Sequence, residues 1–260
     1  MPSNQQIHLD NRPVGEAVAS NFKLVVSDTP ALTDGQVLVR HHFLSLDPYM
    51  RGRMNDAKSY AQPQALGQTM GGGTVGEVVE SRNPKFAVGD KVVGMGGWQE
   101  YSVVDANLPG ALRKVDTTHV PLSAYLGAVG MPGVTAWYGL VKICEPKAGQ
   151  TMVVSAATGA VGSAFAALSK ARGCRTVGIA GGPLPLSYPA LILTQRLKVQ
   201  GFIVSEHMEI WPEALTELGT LVATGKLKPR ESIAQGIAAA PEAFLGLLKG
   251  KNFGKQLVKL

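Results

Sequence analysis

The run TMVVSAATGAVG at positions 151–162 decides the fold of this 260-residue chain. Its first five residues have the apolar, partly β-branched character of a short buried strand, and a glycine turn follows them. A helical pattern over 161–172 and a second strand-like run at 175–179 come next. Strand, turn, helix and strand in this order predict a βαβ unit, in which the two strands are parallel.

The turn within this run has the G-x-G-x-x-G pattern of dinucleotide-binding proteins, with Ala157 at the first position. In this pattern Gly159 would let backbone N–H groups approach a pyrophosphate, and Gly162 would let the helix pack closely on the strand. An ordinary junction of strand, turn and helix would give the same letters. The position of the turn between two strand-like runs favours the cofactor site.

The end of the second strand indicates which cofactor would bind. NAD-binding domains carry an acidic residue roughly 20 residues after the glycine turn, where it holds the ribose hydroxyl. Here the chain reads GIAGGP at 178–183, with no carboxylate to repel a 2′-phosphate. The sequence therefore predicts NADP(H) as the cofactor in preference to NAD(H).

The chain before the βαβ unit has the pattern of an all-β domain. Partly alternating, β-branched runs separated by Gly, Pro and Asp turns predict strands at 22–26, 36–40, 76–80, 91–94 and 100–104. From 122 to 143 the apolar spacing changes to three or four residues, and Pro132-Gly133 predicts a turn between two helices. The predicted fold class is α/β plus β.

Composition and charge argue against several classes of protein. The net charge of +6 comes from 25 scattered Lys and Arg residues without a basic run, so nucleic-acid binding is not expected. Two cysteines are too few for a disulfide framework or a four-cysteine zinc site, and the five histidines show no metal-ligand spacing. No signal peptide and no run of about 18 apolar residues is visible. We therefore expect a cytoplasmic protein without a metal or membrane partner.

Four motifs, in order along the chain, resemble those of one protein family. They are DPYMRGRM at 47–54, GMPGVTA at 130–136, AATGAVG at 156–162 and NFGK at 252–255. Together they resemble the zinc-independent branch of the medium-chain dehydrogenase/reductase superfamily that contains prostaglandin reductases, plant double-bond reductases, and bacterial curcumin and 2-alkenal reductases. The resemblance implies a GroES-like substrate domain over 1–121, a Rossmann-type NADP-binding domain over 122–239, and a segment, 240–260, returning to the cleft between them.

The resemblance also implies a reaction, the NADPH-dependent reduction of the carbon–carbon double bond of α,β-unsaturated ketones or aldehydes. Hydride would reach the β-carbon and a proton the α-carbon, while a hydrogen-bond donor stabilises the enolate. Motif by motif, Tyr188 would be that donor and Tyr49 would line the substrate cleft. The residues expected to bind the cofactor are Met131, Thr135, Gly159, Ala160, Val161, Gly162, Gly181 and Asn252.

Each of these roles has a structural alternative that the sequence leaves open. Tyr188 could be a half-buried anchor ahead of an apolar stretch, and Tyr49 could be a packing residue. Met131 could belong to the core, and Asn252 could only hold a turn.

The chain departs from the family after Gly182. Roughly 70 to 80 residues, corresponding to strands three to five of the Rossmann order and their helices, have no counterpart before the segment at 199–204. Without them the two remaining parallel strands would expose unpaired edges and an apolar face. Either the molecule contains a segment that these 260 residues omit, or the chain is an inactive remnant with a structural or partner-binding role.

A homodimer is the last expectation that the resemblance supplies. The segment QGFIV at 200–204 would form the last strand, at the edge of the Rossmann sheet. It contains no Pro or Lys that would block pairing with a second copy. We therefore expect two copies to join through this strand.

Overall fold

The protein folds into two compact units in the computed structural model, which describes residues 2–58, 62–179, 192, 194 and 199–260. Met1–Gly127 and Pro229–Leu260 form the first, here called the β unit, and Ala128–Lys228 form the second, the α/β unit. The units change at 127 and 229, whereas the sequence predicts 121 and 239. The difference arises because a strand at 231–235 belongs to the sheet of the β unit.

The strands follow the β-branched runs of the sequence. Their bounds are β1 Ser3–Leu9, β2 Phe22–Asp28, β3 Gln36–Ser45, β4 Thr74–Ser81, β5 Lys91–Gly94, β6 Tyr101–Asp105, β7 Leu112–Lys114, β8 Thr151–Ser155, β9 Arg175–Ile179, β10 Glu231–Gln235 and β11 Lys255–Lys259. All five strands predicted for the N-terminal region, and both strands of the βαβ unit, are present.

Five α-helices accompany these strands in the described ranges. They are α1 Tyr49–Arg53, α2 Met131–Tyr138, α3 Ala160–Ala171, α4 Trp211–Ala223 and α5 Ala240–Leu248. A π-helical turn, Gly139–Cys144, continues α2. Judged by length and hydropathy, none of the helices described could span a membrane.

The β unit is organised around β3, which pairs with β4, β6 and β11. The main sheet has the order β10-β11-β3-β4-β5-β7, and β1 and β2 form a separate antiparallel pair. Two register shifts lie between β3 and β4, one at Leu38/Val39 and one at His41/Phe43. Such irregularities bend a strand, so one long strand can serve both parts of the unit.

Two apolar clusters form the core of the β unit. The smaller cluster includes Val37 and Val39 from the first half of β3, and the larger one includes Leu44 from its second half. Trp98 and Phe244 are fully buried in the larger cluster, with ring centroids 5.5 Å apart in an edge arrangement. The C-terminal helix α5 thus packs directly on residues of the N-terminal region.

The α/β unit contains the predicted βαβ arrangement. β8 and β9 are parallel, with Val153 opposite Val177, and α3 packs against both strands. In the described residues these two strands form a sheet by themselves. Val153, Val177 and Ile179 are 57%, 38% and 36% exposed, so one face of this sheet is apolar and uncovered. The departure of the sequence from its family predicts this uncovered face.

Two predictions about local structure are wrong. Pro132-Gly133 is not the turn between the helical segments, because that turn lies at 127–130, between a 3₁₀ helix at Leu122–Leu126 and α2. Pro132 lies in the first turn of α2, where its missing N–H costs no hydrogen bond. The segment 200–204 is not a strand, because 199–203 is irregular and Val204 begins a 3₁₀ turn. A strand needs a partner for its backbone groups, and the described part of the α/β unit places none beside this segment.

Candidate functional site

The glycine turn between β8 and α3 brings backbone atoms very close together. A Cβ atom on Gly162 would lie 2.3 Å from the carbonyl oxygen of Ala156, and one on Gly159 would lie 3.2 Å from the same oxygen. Ala156 has a φ of 48°, in the left-handed region that side chains disfavour. Any residue larger than glycine at 162 would push α3 away from the turn.

The N-terminus of α3 is suited to bind an anion. Gly159 is its extended N-cap, and no side chain of the described residues caps the helix. The N–H of Ser163 donates to the Gly159 carbonyl at 2.9 Å, so the N–H groups of Ala160, Val161 and Gly162 precede the first intrahelical bond. The helix dipole adds positive partial charge, and the first turn of α3 has no acidic residue. These residues fit the pyrophosphate of a dinucleotide.

Met131 and Thr135 lie one helical turn apart at the start of α2, on the same face of the helix. The Thr135 hydroxyl donates to the Met131 carbonyl at 2.7 Å. Met131 is 39% exposed, which disfavours the core alternative for this residue. A role in contacting the cofactor stays a prediction for both.

The neighbouring Gly133 has a packing role that the motif alone does not reveal. A Cβ atom there would lie 1.9 Å from the Ala128 carbonyl oxygen and 3.2 Å from the Leu218 side chain. Glycine at this position lets α2 begin directly against the preceding turn.

Asn252 lies in the turn before β11, in the β unit. Its amide nitrogen donates to the Gly254 carbonyl at 2.8 Å, so at least one end of the side chain holds the turn. Gly254 has a φ of 75°, and a Cβ atom there would lie 2.0 Å from the Arg230 carbonyl oxygen. The turn is thus fixed in shape, and a phosphate contact by Asn252 stays a prediction.

Tyr49 is half-buried at the first position of α1 and packs against the larger core cluster of the β unit. Tyr49 is therefore at least partly a packing residue, as the structural alternative predicts. Its place in the substrate cleft stays a prediction.

Asp47, two residues before Tyr49, forms a buried ion pair with Lys255 that the sequence motifs did not indicate. The Lys255 ammonium donates to Asp47 Oδ1 at 2.5 Å and to the Leu46 carbonyl at 2.9 Å. The Ser45 hydroxyl donates to the other carboxylate oxygen of Asp47. The available signal was that Asp47 follows the apolar Leu46, and that Lys255 stands two residues before the apolar Leu257.

Two predicted residues, Tyr188 and Gly181, lie outside the described residues. The enolate donor and one part of the cofactor site therefore stay predictions from the resemblance.

His41, on β3, is buried and its Nε2 lies 2.9 Å from the Ser102 hydroxyl. Burial, and secondarily the nearby His42, lowers the pKa of His41 from 6.5 to about 3. His41 is accordingly a neutral structural residue. Across the described ranges, no group of three or more His, Cys, Asp or Glu side chains is placed to hold a metal ion.

Comparison with known proteins places the chain in a family. A family model described as the N-terminal domain of oxidoreductase matches residues 5–112. NADPH-dependent curcumin reductase of Escherichia coli (strain K12) is 35% identical, covering 99% of this chain and 97% of its own length. Prostaglandin reductase 1 of Rattus norvegicus is 33% identical over 92% of this chain and 94% of its own. The crystal structure of CurA in complex with NADPH from Vibrio vulnificus has 35% identity and a TM-score of 0.87, covering 98% of both chains.

A GroES-like β domain joined to a Rossmann-type α/β domain defines an oxidoreductase of the medium-chain dehydrogenase/reductase superfamily. The chain belongs to the branch of that superfamily that contains the curcumin, prostaglandin and 2-alkenal reductases. The cofactor predicted from the sequence, NADP(H), is the cofactor of this branch.

The same comparison measures how much of the family's length the chain lacks. The alignment with the curcumin reductase extends over 337 positions, which is 77 more than the 260 residues of this chain. At least 77 positions of the alignment therefore face no residue here. This number agrees with the internal gap predicted from the motifs.

Proposed function

We propose that the chain reduces the carbon–carbon double bond of α,β-unsaturated ketones or aldehydes with NADPH, without a catalytic metal. The observation that carries the proposal is the turn at 159–162. Its backbone N–H groups at the start of α3 have no side-chain cap among the described residues, and Gly162 must be glycine because a Cβ atom there would clash with the backbone of Ala156. Relatives named for curcumin, prostaglandin and 2-alkenal reduction support the substrate class. A cytoplasmic location stays a prediction beside it.

When bound, NADPH would supply a hydride for the β-carbon of the substrate. The task of the chain is to hold the cofactor and to stabilise negative charge on the carbonyl oxygen. The α3 N-terminus would hold the pyrophosphate through the N–H groups of Ala160, Val161 and Gly162. The Tyr188 hydroxyl would donate to the oxygen as charge develops there, and Tyr49 would contact the substrate.

Substitution of Tyr188 tests the catalytic part of this proposal. Tyr188→Phe should lower kcat by more than it raises KM, because the lost hydrogen bond strengthens only in the transition state. Tyr125→Phe is the control, since it removes a hydroxyl that donates to the Asp116 carbonyl at 2.5 Å. An unchanged kcat for Tyr188→Phe would return Tyr188 to a structural role.

Cofactor preference tests the binding part. Fluorescence titration should give a lower dissociation constant for NADPH than for NADH, since no acidic residue occurs at 178–183. Equal affinities would contradict the assignment of NADP(H).

The uncovered sheet face favours a second candidate, an inactive remnant with a structural or partner-binding role. A two-stranded parallel sheet with exposed Val153, Val177 and Ile179 lacks the cover that this arrangement normally has. A folded protein that binds no NADPH and turns over no enone would support this candidate.

We also propose that the chain forms a homodimer, as the resemblance implies. Its expected basis, a strand at 200–204, is absent from the described chain, and we propose that pairing uses another strand edge of the α/β unit. Within the described residues of the α/β unit, β8 and β9 have unpaired edges that could serve.

A further inference from the structure

A buried ion pair joins the two family motifs that stand on either side of the proposed reaction. We infer that Asp47 and Lys255 are positioning residues, which fix the substrate-side turn carrying Tyr49 relative to the cofactor-side turn carrying Asn252. This inference rests on the proposed function, and it concerns only residues of the β unit.

The pair is buried and almost fully hydrogen-bonded. The side chains of Lys255 and Asp47 are 4% and 11% exposed. Both carboxylate oxygens of Asp47 accept a hydrogen bond, one from Lys255 and one from Ser45. The ammonium also donates to the Leu46 carbonyl at 2.9 Å. Because the ammonium binds both the Asp47 carboxylate and the adjacent backbone carbonyl of Leu46, its contacts fix a direction as well as a distance.

The pair stands where the ladder between β3 and β11 ends. Leu257 is opposite Ser45 in that ladder, and the Leu46 N–H then donates to the Gln256 carbonyl at 3.1 Å. Beyond this point β3 has ended at Ser45, whereas β11 continues to Lys255, which pairs with Glu231 of β10. The ion pair is the next link, and it holds the chains together after the last backbone bond.

The backbone of each partner also makes a hydrogen bond that fixes the neighbouring turn. The Asp47 carbonyl accepts the N–H of Met50 at 3.1 Å, which begins α1 and orients Tyr49. On the other side, the Lys255 N–H donates to the Arg230 carbonyl at 2.7 Å, which anchors the turn that contains Asn252. A displacement of either partner would therefore move a proposed substrate contact or a proposed cofactor contact.

Stability alone is a poor explanation for such a pair. Two charges lose their hydration on burial, and apolar residues of similar volume commonly serve stability equally well. Apolar residues would pack without fixing direction. The ion pair is therefore best explained by the geometry that it imposes on the two turns.

The test compares three variants with the wild-type chain. Asp47→Asn removes one charge, and the double variant Asp47→Leu with Lys255→Met replaces the pair by apolar side chains that should keep the fold. Glu77→Gln is the control, because it breaks a partly exposed ion pair with Lys91 in the same sheet. The readouts are amide hydrogen exchange of 47–54 and 250–256, the NADPH dissociation constant, and kcat and KM for a 2-alkenal.

We expect the double variant to melt near the wild-type temperature, while amides in both segments exchange at least about tenfold faster. Its kcat should fall about 100-fold with a smaller change in KM, since a misplaced contact costs rate more than binding. Glu77→Gln should change none of these readouts. If Asp47→Asn does not fold, the double variant still decides the question.

Unchanged exchange in both segments of the double variant would overturn the inference. So would faster exchange with an unchanged kcat in an active enzyme, because the pair would then be purely structural. If the wild-type chain itself has no turnover, the proposed function fails, and exchange in the two segments together with NADPH affinity still tests the positioning role.

Discussion

Acidification should destabilise the β unit through His41. The imidazole is 4% exposed, and its Nδ1 has no hydrogen-bond partner among the described residues. Burial first, and the charge of His42 second, lower the pKa of His41 to about 3. Space around the ring is tight, since a Cβ atom on Gly96 would lie 2.3 Å from it. The folded protein therefore has little room to hydrate a charged imidazole.

The sign and the size of the effect follow from the two pKa values. The unfolded chain takes up the proton as the pH falls below 6.5, whereas the folded β unit takes it up only near 3. Between these values the unfolded state binds more protons, so the free energy of unfolding falls as the pH falls. The loss approaches about 1.4 kcal/mol per pH unit, and amounts to about 2 kcal/mol between about pH 7.5 and about pH 5.

Urea unfolding at the two pH values, followed by circular dichroism, measures this loss. His41→Gln cannot titrate, so it should begin less stable than wild type but lose about 2 kcal/mol less on acidification. His119→Gln, which changes an exposed histidine, should keep the wild-type pH dependence. Equal losses in wild type and His41→Gln would refute the reasoning.

Three further outcomes are expected. Gly162→Ala should destabilise the α/β unit by about 1–3 kcal/mol in thermal unfolding. Gly201→Ala, in the same unit, should not, because its added Cβ would meet nothing within 4 Å. Equal effects would contradict the close packing of α3. Intact mass spectrometry should give 27.3 kDa if the molecule is these 260 residues alone, and a larger mass would reveal an omitted segment. Light scattering should give twice the chain mass, and a monomer at micromolar concentration would exclude the proposed homodimer.

Much of the fold was predictable because its signals are local. The glycine turn at 159–162 and the runs on either side of it predict β8, α3 and β9 correctly. The predicted strand at 36–40 is shorter than β3, which extends to Ser45. The register shift at His41/Phe43 breaks the alternation there, so the pattern stops before the strand does.

The N-terminal strand, β1, was not predicted from the sequence at all. β1 has the polar sequence SNQQIHL, and only its pairing with β2 and the burial of Ile7 and Leu9 make it a strand. Local propensity carries no signal for pairing of this kind.

The candidate site was predictable only where one motif contains the whole arrangement. The turn at 159–162 is such a motif. The ion pair of Asp47 and Lys255 joins residues 208 positions apart, and a single sequence has no local pattern for that distance. The strand at 200–204 was predicted from a family in which neighbouring strands are present, and it is absent where the described chain supplies none.

The pairing of β11 with β3 has a consequence for synthesis on the ribosome. Residues 43–45 receive their partners, 257–259, only after more than 200 further residues have been synthesised. Until then the N-terminal strands carry an unfilled edge, while α3 and the strands around it already have local partners. We expect the α/β unit to form before the β unit closes. Contacts so distant in sequence slow this final step.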